Sequence, residues 1–260
     1  MEREVMKPRL GRRGVSKRTA IIFATSLLII VCAVIVLKFG VISAANRSAE
    51  ASLETTQSQM ISLTSRMNTT LSASSVSNDQ KMARLKQYVT DVKNMSDSVC
   101  STQRAAVYYD TLRLHTTCES VRRALQDVTA AASAQYSYIS DETILAALLP
   151  KVTMAASFSD SYDLWTRTAA LVNAAKVGQE ANTIKLSLQK AVEGYRDAWK
   201  ALVDADNKQD STTFTDASTT VKAAYVTLQS QADVSKAQLQ ALGDVFSAKY
   251  AVFKAAIQSE

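Results

Sequence analysis

Two prolines and six glycines in 260 residues leave little punctuation for a sheet-rich fold. Hairpins need Gly, Asn-Gly or Pro at their turns. Pro8, Gly11, Gly14 and Gly40 precede residue 44, so the remaining 217 residues carry only Pro150, Gly178, Gly194 and Gly243. The long C-terminal part is rich in Ala, Leu, Lys and Gln, which favour helix. An all-α fold follows from composition alone.

Histidine is also scarce. The single one, His115, has Cys118 and Glu119 three and four residues on. A structural zinc site needs about four ligands, and Cys100 is the only other cysteine outside the apolar N-terminal segment. His115 therefore reads as an ordinary surface or hairpin residue. No Gly-rich phosphate loop, HExxH, CxxC or EF-hand loop occurs, and no oxyanion-hole pattern accompanies a Cys-His pair. The expectation is a protein that is not an enzyme and holds no cofactor or metal.

Net charge of one sign is missing from most of the chain. The total is +6. Residues 1–43 hold eight basic and two acidic residues and carry all of it, while residues 44–260 hold 22 of each. A neutral domain with interspersed charges has no footprint for a phosphate backbone. Nucleic acid is not an expected partner.

What is present is a long apolar run. No charged residue lies between Arg18 and Lys38, and 12 of these 19 residues are Ile, Leu, Val or Phe. At 1.5 Å per residue they span roughly 28 Å of helix, close to a hydrocarbon core. Their insertion contributes roughly −4 to −7 kcal/mol. Lys38 can lay its stem along the apolar region with its head in water. The basic cluster of Arg12, Arg13, Lys17 and Arg18 precedes the run, and only Arg47 follows within twenty residues of Ser43. The positive-inside rule then puts the N-terminus in the cytoplasm. The expected organisation is a basic cytoplasmic tail (1–19), a transmembrane helix (20–42) acting as a signal-anchor, and an extracytoplasmic helical domain (43–260) with a sub-division near 140–160. A cleaved signal peptide is the alternative, because Ser43-Ala44-Ala45 offers small residues. The apolar run exceeds the usual 7–15 residues of a signal core. Cys32 lies deep in it and reads as a small apolar residue.

Spacing organises the outer part. Leu53, Thr56, Met60, Leu63, Met67 and Thr70 alternate steps of three and four, so the first helix is expected to grow straight from the anchor until Ser72–Asp79 interrupts it. Asn78 or Asp79 is the expected cap of the next helix, whose face is Met82, Leu85, Val89, Val92, Ser96 and Val99. A later helix shows Leu114, Cys118, Val121, Leu125, Val128, Ala132 and Ile139, with Asp110 a candidate cap. Cys100 and Cys118 would lie about 27 Å apart on one unbroken helix. A turn near residue 109 leaves each nine residues away, facing the other, so a disulfide is expected across a helical hairpin.

Asp141-Glu142 resembles a helix start, and Pro150 should bend or restart that helix. Ser159–Ser161 offers caps. Residues 161–206 carry two stripes that differ in phase near Gly178, Leu164, Thr168, Leu171 and Ala175 and then Ala181 to Leu202. They read as one long helix with a stammer, with two helices meeting at Gly178 as the alternative. Asp206–Thr213 reads as a turn. From Phe214 to Phe253 a 4-3 alternation persists, with Val245, Val252 and Ile257 widening the stripe, which predicts a single helix of roughly 65–70 Å. Together these segments predict an elongated antiparallel bundle with coiled-coil-like seams.

Tyr108, Tyr109, Tyr136 and Tyr138, near a hairpin tip and an irregular segment, are the candidate partner contacts. The expected function is a membrane-anchored structural or interaction protein of the cell envelope. Its partners would be membrane lipid and either an unknown protein or another copy of itself. The alternative is a sensory or ligand-binding helical bundle. Nothing after residue 43 reads as a return helix or cytoplasmic output domain, so such a sensor would act through a separate signalling partner. A roomy polar cavity would favour a ligand, and a closed core with an exposed apolar patch would favour a protein.

Overall fold

The computed structural model describes residues 17–73, 75–152 and 154–258. Arg12 and Arg13 lie outside the described residues. Within them every regular element is helical. The order is α1 (Lys17–Ser72), α2 (Asn78–Ser98), α3 (Ser101–Arg104), α4 (His115–Ala147), α5 (Phe158–Ala174), α6 (Asn182–Lys208), α7 (Ser211–Gln229) and α8 (Gln231–Gln258), with single 3-10 turns at Tyr109–Thr111 and Gln179–Ala181.

Helix α1 is unbroken from the apolar run into the outer part. Its large apolar residues from Leu27 to Val41 are exposed, and Ala49 is the first buried residue among the side chains described. From there Leu53, Thr56, Met60, Thr64 and Met67 face a core. The helix is long and apolar enough at its N-terminal end to cross a membrane or to be a signal sequence. Ser77, rather than Asn78 or Asp79, caps α2. Its Oγ accepts from Gln80 N at 3.3 Å while Gln80 Oε1 accepts from Ser77 N at 3.1 Å. Such a box satisfies two orphan amides reciprocally.

Two hydrophobic cores share the molecule. The first gathers α1, α2, the first part of α4 and the end of α8, from Ala49 through Leu85, Val92, Val121 and Leu125 to Phe253 and Ile257. The second gathers the end of α4 with α5, α6 and α7 around Trp165, Leu188, Tyr195, Trp199 and Leu202. Helix α4 serves both, because Val121 and Leu125 belong to one core and Tyr138 and Leu145 to the other. Along α8, Lys249 pairs with Asp127 at 2.9 Å and Ser235 O accepts from Tyr138 Oη at 3.0 Å. Residue numbers therefore rise along α4 as they fall along α8.

Several expected boundaries are displaced. Asp141 and Glu142 lie inside α4 and do not start a helix. The Asp141 carboxylate instead accepts the amide of Gly178 at 2.8 Å, tying the α5–α6 connection to α4. Helix α4 has ended before Pro150, and Ser157 caps α5, with Oγ accepting from Asp160 N at 3.0 Å. Asp110 sits in a 3-10 turn and caps nothing, and Leu114 precedes α4 without a side-chain cap.

The element expected over 161–206 is two helices, parted at 175–181. Ala175 and Gly178 are extended. Lys185 Nζ donates to Asn173 O at 3.1 Å and Ala175 O at 2.5 Å, satisfying carbonyls at the end of α5. A Cβ at Gly178 would stand 3.2 Å from the Asp141 carboxylate, so the close approach explains the glycine. The face of α5 also differs from expectation. Ser161, Trp165, Thr168, Ala169 and Val172 are buried, and Leu171 is exposed. Trp165 carries the largest apolar surface and sets the phase.

The long C-terminal helix is likewise two, divided at Ser230. The Ser230 carbonyl accepts from Asp233 N and Val234 N, and its Oγ donates to Thr227 O at 2.8 Å. Helix α7 packs on α6, whereas α8 packs on α4. The buried stripe keeps its phase across this division, from Ala217, Val221 and Leu228 to Ser235, Phe246 and Phe253. The turn before α7 is only Gln209-Asp210. Asp210 Oδ1 accepts from Thr212 N at 3.1 Å and Thr213 N at 3.2 Å.

Candidate functional site

Chemistry-bearing residues gather in three places. The first is the connection between α2 and α4. Cys100 and Cys118 are bonded, with Cα atoms 6.1 Å apart. Cys100 adopts the left-handed conformation, and its amide donates to Ser52 Oγ at 3.1 Å. Gln103 Nε2 donates to Ser48 Oγ at 2.6 Å, and Arg113 pairs with Glu50. All three contacts fold this connection back against α1. Lys38 Nζ lies 5.2 Å from the centre of the Tyr108 ring, a cation–π arrangement. Neighbouring Val107 is 92% exposed.

His115 stacks edge-on against Tyr109, with ring centres 4.5 Å apart. Tyr109 Oη donates to Glu119 Oε1 at 2.9 Å, and Arg122 holds the other carboxylate oxygen at 2.5 Å. Burial, followed by the hydrogen bond to Glu119, pushes Tyr109 up to about 12. The Arg122 hydrogen bond holds Glu119 below the usual carboxylate range. Cys118 is committed to the disulfide. Among the described residues no group of three or more His, Cys, Asp and Glu could hold a metal ion.

The four candidate tyrosines do not form one surface. Tyr108 and Tyr109 sit half-buried in the α2–α4 connection, and Tyr136 packs against the first core. Tyr138 is fully buried, with 0% exposure. Its expected role as a surface contact is therefore corrected. The reason is that α4 continues through 141–142, so Tyr138 lies in a helix interior facing α8.

The second place is the outer face of α8. Val245 and Val252, expected to widen the buried stripe, are 51% and 54% exposed. With Val234, Ala241, Ala248 and Ala255 they form an apolar line at steps of seven, four, three, four and three, all of it exposed. Steps of three and four keep residues on one helix face. By spacing alone Val245 and Val252 fall in the buried stripe, and nothing in the sequence singled out this line.

The third place is a cleft of about 360 Å³ beside the Ser230 division, where α4, α5, α6, α7 and α8 meet. Leu145, Trp165, Leu188, Tyr225 and Leu228 are among its walls. Glu142 is the one charged side chain of the lining. Ser235 Oγ donates to Glu142 Oε1, and the Tyr138 hydroxyl lies 3.0 Å from Ser235 Oγ. Burial raises the Tyr138 pKa. Tyr138 thus stays a neutral donor and Ser235 orients the carboxylate. The sequence carried no sign of this cleft, because its walls come from five helices.

No protein-family model, curated protein or solved structure matches this chain.

Proposed function

We propose that the protein is a single-pass, membrane-anchored interaction protein of the cell envelope that associates with a second copy of itself. In this reading residues 20–42 of α1 span the bilayer, the basic cluster from Arg12 to Arg18 stays in the cytoplasm, and residues 43–260 form an extracytoplasmic, elongated antiparallel bundle with coiled-coil-like seams. Its role is binding, not catalysis.

The observation that carries the reading is the exposed Val/Ala line on α8. Its supporting frame is the continuity of α1, which passes from exposed apolar residues to core residues without a break. The Lys38–Tyr108 contact supports a position of the α2–α4 connection at the bilayer surface, where an amphipathic aromatic ring and an exposed valine are at home. Two copies anchored in one bilayer present α8 in parallel. From Ala241 to Ala255 the line has the four-three spacing of a heptad seam. Confinement to a membrane raises the effective concentration of one copy for another.

One labelling experiment tests both parts. Val245→Cys is placed in a Cys32→Ser background of the full chain in intact cells. A membrane-impermeant maleimide should label it, and a short bis-maleimide should join two copies. Labelling only after cell lysis would overturn the orientation. Labelling without joined copies, together with recovery of a stoichiometric partner by cross-linking, would replace self-association with a different protein partner.

A further inference from the structure

We infer that the cleft beside Ser230 is a binding site for a small apolar molecule bearing a protonated amine. This inference rests on the cleft alone and does not depend on the membrane or self-association reading.

The size and lining set the body of the ligand. A volume of about 360 Å³ lies within the range of sites that take small organic molecules. Leu149, Ile184 and Leu188 supply aliphatic walls, while Trp165 and Tyr225 supply aromatic ones. A flat hydrocarbon or aromatic body replaces water against such walls favourably.

The polar atoms set the head. Glu142 is the sole formal charge of the lining and has no ion-pair partner among the described residues. Its Oε1 accepts from Ser235, so the second oxygen has capacity to accept again. Gln231 also lines the cleft. Its Nε2 donates to Thr227 O at 3.2 Å, which fixes the amide orientation, and its Oε1 is buried without a hydrogen-bond partner. A buried acceptor with no donor is costly. The lining therefore offers one negative charge, an unsatisfied acceptor and two aromatic rings. An ammonium group answers all three, with three donors, a positive charge and attraction to ring faces. An anion would meet the Glu142 carboxylate. Among the described residues the lining has no cluster of ligating side chains that would hold a divalent cation.

The test uses the full chain in lipid nanodiscs, with empty nanodiscs as the partition control. Isothermal titration compares 1-naphthylmethylammonium with 1-naphthoate. The expected result is saturable binding of one ammonium per chain, at least about tenfold tighter than the carboxylate. Glu142→Gln, which keeps an acceptor for Ser235, should abolish most of that preference. Ala232→Trp, at an exposed position of the lining, should block binding while leaving the thermal melt unchanged. Equal affinity for the two probes, or a preference that survives Glu142→Gln, would overturn the inference. So would the absence of saturable binding in the parent chain, which would leave the cleft to a side chain of a protein partner.

Discussion

The first core is mainly Met, Leu, Val and Ala around three buried rings, Tyr88, Phe246 and Phe253, with a disulfide at one end, whereas the second is built around both tryptophans and their aromatic neighbours. In the first, Ala49, Ala124, Ala131 and Ala132 are buried beside Met60, Leu85 and Leu125. Tyr88 enters it with its hydroxyl 3.1 Å from Thr64 Oγ1, so the buried phenol is satisfied. In the second, Trp165 meets Tyr195 edge-on at 4.7 Å, Tyr195 meets Trp199 at 6.0 Å, and Phe158 meets Phe214 at 5.7 Å. Small side chains let helices approach closely, and a covalent link then limits how far they separate. Large rings fill wide gaps through a few big contacts. They leave interstices where helices change partners, and the cleft beside Ser230 is one of these. The difference teaches that one chain can hold one end with a covalent clamp and fill the other with large aromatic rings.

The largest expected effect falls on the second core. Trp165 is 1% exposed, and Trp165→Ala should cost about 3–5 kcal/mol. In urea, hydrogen exchange should accelerate in α5 and α6 while α2 keeps its protection. Equal acceleration in both would break the comparison and make the two cores one cooperative unit.

Cys100→Ser with Cys118→Ser should cost about 3 kcal/mol, the scale for a loop of this length. Faster exchange should be confined to α2, α3 and the start of α4, with α6 unchanged. A loss spread evenly over both cores would show that the disulfide is not a local clamp.

The smallest effect is pH-dependent. Glu119 is held below its ordinary pKa by Arg122. Its contribution is therefore present above the unfolded value of about 4.3 and is lost as pH falls through the folded value. Tyr109, raised to about 12, behaves oppositely. Its contribution is full below the unfolded value of about 10 and is lost as pH rises toward the folded one. The melting-temperature gap between the parent and Glu119→Gln should close in acid. A gap that persists below about pH 3 would show that Glu119 acts through packing instead of charge.

Much of the fold was legible, for reasons that can be named. Sparse Gly and Pro exclude a turn-rich sheet, and Ile184, Leu188, Ala191, Tyr195 and Leu202 repeat on one helix face and are all buried. Cys100 and Cys118 lie evenly about a turn, and the structure pairs them. The candidate site was hardly legible. Tyr138 looked like a surface aromatic because Asp141-Glu142 resembled a helix start. Yet a carboxylate inside a helix and one at its cap look alike in a sequence, and the Gly178 amide that Asp141 accepts lies 37 residues away.

What the sequence by itself determined is local. It set the apolar length of the N-terminal helix, the helical state of the rest and the faces of α4 and α6, because these depend on residues three or four apart. Tertiary structure alone decided which helix each face meets. Helix α7 lies on α6 and α8 on α4, so the chain divides at Ser230 without Gly, Pro or a phase change to mark it. The same choice left Val245 and Val252 outside and brought Glu142, Trp165 and Tyr225 around one cleft. Periodicity records that a helix has an apolar face, but the competition among distant faces for burial decides which of them are covered.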